Sequence, residues 1–202
     1  QDHKRAFDED RGPNTGGMGA YSPAPILTAE LMDQIIGQVL VPTVHAMKRN
    51  KRPFRGILYA GIMITNQGPK VLEYNCRLGD PETEAVLPRA DFDLAQACAL
   101  AASGSLEGFR AKWSRGASVC VVIASAGYPG SPKTGVEIRG LDDAAGVAGA
   151  MVFHASTRRD GTVFRTSGGR VLIVSACGED LASACQRAYE AASKIKIDGA
   201  FY

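Results

Sequence analysis

Apolar side chains first take up a regular period at Leu31, Ile35, Ile36, Val39 and Leu40, three and four residues apart. That spacing lines one face of a helix. Thr28 stands ahead of them as an N-cap, so the pattern predicts a helix from Thr28 to about Asn50, kinked or divided at Pro42. Upstream, glycine and proline crowd from Gly12 to Pro25; this forbids a long helix, and residues 1–25 read as loop. Residues 56–66 read as a strand, Asn66-Gln67-Gly68-Pro69 as a turn, and Lys70–Asn75 as the returning arm of a hairpin. Pro81 opens a short helix. Residues 91–103 form another, with Leu94, Ala97, Cys98 and Ala101 on one face.

The pattern changes near Leu106–Arg115, where Trp113 and basic residues precede the apolar run Ser118–Ala124. Short strands are expected at 118–126, 150–155, 162–166 and 170–177. A last helix is expected at about 180–196, burying Leu181, Ala184, Cys185, Ala188, Tyr189 and Ala192. No internal repeat or low-complexity tract interrupts this order. The economical architecture is α+β, a mixed and mainly antiparallel sheet with helices over residues 1–105, then a small β-rich domain with a terminal helix over 106–202.

Composition narrows the classes. The chain has 202 residues, 45% of them hydrophobic, enough for a core, and a formal net charge of +2. That charge does not suggest a nucleic-acid-binding face, and no apolar run is long enough to span a membrane. Five cysteines, an odd number, show no C-x-x-C spacing. Cys98, Cys120, Cys177 and Cys185 lie among small apolar residues and read as buried. A reducing, cytoplasmic setting is expected.

Candidate chemistry concentrates in Val71–Glu82. In an extended strand Glu73, Asn75 and Arg77 share one face, while Cys76 alternates away as packing. A carboxylate and an amide oxygen suit a magnesium ion that also grips phosphate. A guanidinium beside them suits a carboxylate or phosphate. The same spacing also fits an edge strand with a solvated polar face. Asp80 follows at the strand end, where it and Arg77 read either as substrate-binding groups or as a local ion pair. Glu82 favours the helix N-terminus that follows.

The loop Arg11–Gly19 has three glycines in four positions. It reads either as plain surface loop or as backbone that approaches an anion closely. Its spacing is neither that of a Walker loop nor that of a dinucleotide fingerprint. Asp2-His3-Lys4-Arg5 reads either as a solvated charge run or as charge for a sugar phosphate or polyphosphate. His3 reads as a hydrogen-bonding group, and His45 and His154 as structural.

Four segments together resemble one family. They are Gln1–Arg5 with Gly12–Pro23, then Glu73–Thr83, Gly127-Tyr128-Pro129-Gly130, and Thr166–Leu172. In this order they are similar to phosphoribosylamine–glycine ligases (glycinamide ribonucleotide synthetases) of the ATP-grasp superfamily. The resemblance implies the C-terminal half of an ATP-grasp fold followed by a small β-rich domain. It also implies ligation of glycine to 5-phosphoribosylamine in purine biosynthesis, with ATP as substrate and Mg2+ or Mn2+ as cofactor.

Carried over residue by residue, the resemblance implies Glu73 and Asn75 as metal ligands and Arg77 and Asp80 as catalytic groups. Lys4, Arg5, Asn14, Thr15, Gly16, Gly17 and Gly19 become substrate- or phosphate-binding. It further implies an N-terminal portion not present here, so residues 1–202 alone are expected to be inactive. One departure stands out, since many ATP-grasp relatives place another metal acid on the adjacent hairpin strand and Leu58–Ile62 holds none. Two other readings stay open, another ATP-grasp carboxylate–amine ligase and a non-catalytic scaffold half.

Overall fold

The structure is a computed structural model describing all residues, Gln1–Tyr202. It divides into two compact units. The first comprises Gln1–Pro23, Asp80–Ala90 and Trp113–Tyr202, and the second Ala24–Gly79 and Asp91–Lys112. These units do not follow the expected boundary near residue 105. The reason is strand pairing, because the N-terminal residues join a sheet built from the C-terminal half.

In the first unit, β1 (Asp2–Phe7) and β2 (Arg11–Ser22) form an antiparallel pair. The expectation of loop over residues 1–25 is therefore wrong for most of that stretch. Glycine and proline exclude a helix, but they do not exclude a strand pair that is interrupted. The register runs His3↔Gly19 and then Arg5↔Asn14, so Thr15–Met18 bulge out of β2. Gly19 returns the strand to the sheet. A side chain there would put its Cβ 2.6 Å from the carbonyl of Cys120.

The sheet has the order β1-β2-β5-β10-β7, with β5 at Ala117–Ala124, β7 at Ala150–His154 and β10 at Arg170–Gly178. All its pairs are antiparallel. Nearly every residue of β5 and most of β10 is buried. Continuous apolar runs, in place of alternation, mark strands covered on both faces. On one face Ile123, Leu172 and Val174 pack with Ala191, Ala192 and Ile195 of the C-terminal helical segment. On the other, Cys120, Val122 and Ile173 pack with Ala20 and with Ala85 of α3 (Glu82–Val86).

The last helix, α6 (Leu181–Lys194), begins at an Asp180–Ser183 capping box. Its buried positions are Ala184, Ala188, Ala191 and Ala192. Their small size brings the helix backbone close to the sheet. The expected buried face was broader, but Leu181 and Cys185 are half-buried and Tyr189 is exposed. A second sheet, β6-β9-β8, uses Glu137–Ile138, Val163–Thr166 and Thr157–Asp160. Its β6 and β8, like the short helix α5 (Leu141–Ala145), are too brief and too polar to show a sequence period.

In the second unit the Thr28 side chain caps a continuous helical run, accepting from the N–H of Leu31. The run comprises α1 (Ala29–Ile35), a π segment (Ile36–Leu40) and α2 (Val41–Arg49). Pro42 has no N–H to give to Gln38. Just before it, the N–H of Val41 bonds the carbonyl of Ile36, five residues back, which opens the wide turn. The expected hairpin is present as β3 (Tyr59–Thr65) and β4 (Gly68–Asn75), joined across Asn66-Gln67. Helix α4 (Leu94–Ser103) starts at an Asp93 cap and stops at Gly104, where φ is +77°.

This unit buries only Ile35 and Val39 among its large apolar residues, whereas Leu72 is 65% exposed and Met63 50%. Cys98, expected inside, is exposed on α4, and Cys76 is exposed too. No helix of the chain is long and apolar enough to cross a membrane.

Burial sets two measurable contrasts. Leu172 is wholly inaccessible, so Leu172→Ala should lower unfolding free energy by about 2–5 kcal/mol in chemical denaturation. The Cys120 thiol is pushed up to about 12 by desolvation. At pH 8 iodoacetamide should therefore modify Cys76 and Cys98 in the native protein and leave Cys120 unmodified until the protein unfolds, as peptide mass mapping would show.

Candidate functional site

The candidate residues fall in both units. In the second, Glu73 and Asn75 lie near the end of β4, and the Asn75 amide nitrogen donates to Glu73 Oε1 at 3.2 Å. Alternation thus places the two side chains together on one face, as the spacing predicts. Gly61 stands opposite Glu73 in the register. A Cβ there would come within 3.1 Å of Glu73 Cγ, so the neighbouring strand gives the carboxylate room. Between Gly61 and Ile62 the register slips by one residue on β4, at Leu72. Such a bulge re-aims the residues beside it.

Strand β4 ends at Asn75, and Arg77 lies in the bend beyond it. Arg77 is therefore not the third residue of a strand face. Its guanidinium donates to the carbonyl of Leu78 at 2.8 Å and is exposed. No group of three or more His, Cys, Asp or Glu side chains gathers to hold a metal ion. Two hard oxygens side by side still fit a magnesium-type cation, which keeps several positions for water and phosphate.

In the first unit the bulge Thr15–Met18 is the centre. Thr15 Oγ1 donates to the carbonyl of Lys4 at 2.9 Å and accepts from the N–H of Gly17 at 3.0 Å. The N–H of Gly16 donates to the Tyr128 hydroxyl at 2.9 Å. Both glycine amides are thus engaged by hydroxyls, and neither points bare at an anion. Gly17 has φ +123°, and a Cβ on it would sit 2.5 Å from Pro81 Cδ, so only glycine fits.

Lys4 and Arg5 project to opposite faces of β1, because neighbours on a strand alternate. Lys4 pairs with Asp2 at 2.8 Å, and Arg5 donates to the carbonyl of Gly12 at 2.8 Å. Asn14 stands opposite Arg5 in the register. Gly19 is a sheet residue. The seven residues grouped by sequence therefore separate into a bulge, Thr15–Gly17, and its strand supports.

Arg170 and Tyr128, both in segments that resemble the family, acquire contacts that no local pattern encodes. Arg170 opens β10 and forms an ion pair with Asp80, Nη1 to Oδ1 at 3.0 Å. The same nitrogen donates to the carbonyls of Asp80 at 3.1 Å and Gly16 at 3.2 Å. Tyr128 packs so closely over Gly169 that no side chain would fit there. Such long-range contacts leave no periodic trace; the one local signal is an arginine placed directly after a Gly-Gly turn. His154 meets Thr157 and the ring of Phe164, as its structural reading implies.

Residues 1–83 match the family model described as phosphoribosylglycinamide synthetase, ATP-grasp (A) domain. Residues 118–202 match the model described as phosphoribosylglycinamide synthetase, C domain. The chain is 50% identical to a phosphoribosylamine–glycine ligase of Streptomyces coelicolor, over 98% of the chain and 49% of that protein. It is 47% identical to one of Vibrio vulnificus, over 100% of the chain and 47% of that protein. It is 48% identical to one of Vigna unguiculata, over 100% of the chain and 66% of that protein. A crystal structure of phosphoribosylamine–glycine ligase from Thermotoga maritima superposes with a TM-score of 0.86 at 34% identity, covering 100% of this chain and 49% of that one. The chain spans about half the length of most of these relatives.

Glu84, on α3, has a buried Oε2 with no hydrogen-bond partner. Desolvation, and then Asp80 and Glu82, push its carboxyl above the usual range, against its own backbone hydrogen bond and Arg170. A raised acid holds its proton more firmly in the folded state, so stability is full below about pH 4 and falls as pH rises through the folded value. Glu84→Gln should therefore raise the Tm at pH 7, and the gain should vanish at pH 4 in a thermal-unfolding series.

Proposed function

Since the chain belongs to the phosphoribosylglycinamide synthetase family, we propose that it contributes to ATP-dependent ligation of glycine to 5-phosphoribosylamine. The products are glycinamide ribonucleotide, ADP and phosphate, a step of purine biosynthesis. A free carboxylate is a poor acylating agent. The glycine carboxylate oxygen therefore attacks the terminal phosphorus of ATP, releasing ADP and forming glycyl phosphate. The amine of phosphoribosylamine then attacks the acyl carbon, phosphate leaves, and the amide forms with loss of a proton from nitrogen. Holding the reactants together removes much of the entropic barrier.

The observation that carries this reading is the Glu73–Asn75 pair, set together on one strand face with room opposite at Gly61. These two side chains would hold Mg2+ or Mn2+, and such an ion supplies charge neutralisation on the phosphate oxygens. Arg77, exposed beyond β4, binds the glycine carboxylate or the acyl phosphate. Asp80 binds the amine or the ribose hydroxyls of phosphoribosylamine. The Thr15–Gly17 bulge, with Lys4, Arg5, Asn14 and Gly19 as strand support and charge, serves the phosphate. The Tyr128 hydroxyl, having accepted the Gly16 N–H, keeps its own hydrogen to donate. A division in sequence into an ATP-grasp part over 1–105 and a C-terminal domain over 106–202 is supported by family models that match residues 1–83 and 118–202. Five free cysteines fit a reducing, cytoplasmic setting.

In the complete natural polypeptide, Glu73→Gln should lower turnover by about 100-fold or more while the fold survives. Near-normal turnover would overturn the assignment. Residues 1–202 by themselves should show no turnover. Offering other amines and carboxylates to the complete polypeptide separates this reading from that of a different ATP-grasp ligase.

A further inference from the structure

Arg170 lies where three distant segments meet in the first unit. Its Nη1 is 3.0 Å from Asp80 Oδ1, 3.1 Å from the Asp80 carbonyl, 3.2 Å from that of Gly16 and 3.5 Å from that of Gly17. One guanidinium nitrogen carries two hydrogens. Four oxygens therefore share them, and without the cation those oxygens would repel one another. The guanidinium also lies against Gly16: a Cβ there would come within 3.1 Å of Arg170 Cζ. Arg170 is the inner partner, its side chain 21% exposed, whereas Asp80 is 51% exposed. Asp80 Oδ1 is thus committed inward, which leaves Oδ2 to present to a ligand.

We propose that Arg170 is a positioning residue, which fixes the Asp80 carboxylate and the Gly16–Gly17 bulge in one relation and so sets how the amino-sugar substrate is held. The proposal rests on the reading that Asp80 binds phosphoribosylamine. Arg170 does not itself touch substrate; it acts through the groups it clamps. Tyr128 completes the clamp from the other side, since it holds the Gly16 N–H while Arg170 holds the Gly16 carbonyl. Lysine keeps the charge but has no plane to lie against Gly16, so its ammonium is not held where Nη1 stands among the four acceptors.

The test uses the complete natural polypeptide, with KM measured separately for phosphoribosylamine, glycine and ATP, and with thermal unfolding beside it. Arg170→Lys should raise KM for phosphoribosylamine by about 10- to 100-fold, the size expected for a charge-assisted hydrogen bond. KM for glycine and for ATP should stay within about twofold. Tyr128→Phe, a milder change that keeps the ring, should raise the same KM by a smaller factor. Asp80→Asn should also raise it, and adding Arg170→Lys to Asp80→Asn should do little more, because the two act as one unit. If Arg170→Lys shifts all three KM values alike, or only lowers the Tm, the residue is merely structural and the proposal is overturned. If Asp80→Asn raises KM for phosphoribosylamine and Arg170→Lys does not, the positioning role fails while the substrate reading stands. If Asp80→Asn leaves that KM unchanged, the substrate reading has failed and the positioning role falls with it.

Discussion

The first unit depends on the antiparallel pairing of β5 with β10. This pair runs in unbroken register from Leu172↔Ile123 to Gly178↔Ala117, and both of its faces are covered. Helix α6 and the C-terminal segment cover one, α3 the other. Removing apolar area from water stabilises such a pair by roughly 25 cal/mol per Å2, and burying the strand backbone obliges every N–H and C=O to find a partner. Those two demands together leave little freedom in how the chain is threaded. They explain why residues far apart, at the start of the chain, near residue 80 and at the C-terminus, form one unit.

The same constraint decides what could be read from the sequence. The runs Ser118–Ala124 and Val171–Ala176 are apolar enough to be recognised as strands without knowledge of their partners. The Thr28 cap and the Asn66-Gln67 turn are local signals, and each lies where its residues imply. Strands β1 and β2 were not legible, because a bulge breaks their alternation and their glycines serve the interruption. The Glu73–Asn75 pair was legible because two-residue alternation alone brings it together. Arg77 lost its expected place because the strand ends two residues earlier, a boundary that local propensity does not fix. Cys98 misled for a related reason. Small apolar neighbours indicate a helix face but not whether another element covers it.

The chemistry is divided in the same manner as the packing. The Glu73–Asn75 pair stands on a hairpin whose unit buries little of its apolar surface. The Thr15–Gly17 bulge is braced by side chains of a unit whose interior is close-packed. A loop that carries function benefits from a rigid frame, and here the frame reaches the loop through Arg170, Tyr128 and Pro81.

The interruption in β2 also has an evolutionary meaning. Pairing is fixed on its two flanks, at His3↔Gly19 and at Arg5↔Asn14. Insertions or deletions among residues 15–18 would leave both flanks paired, so the hairpin could change the reach of its loop without shifting any strand. A loop of another length in this stretch would leave the sheet beneath it the same.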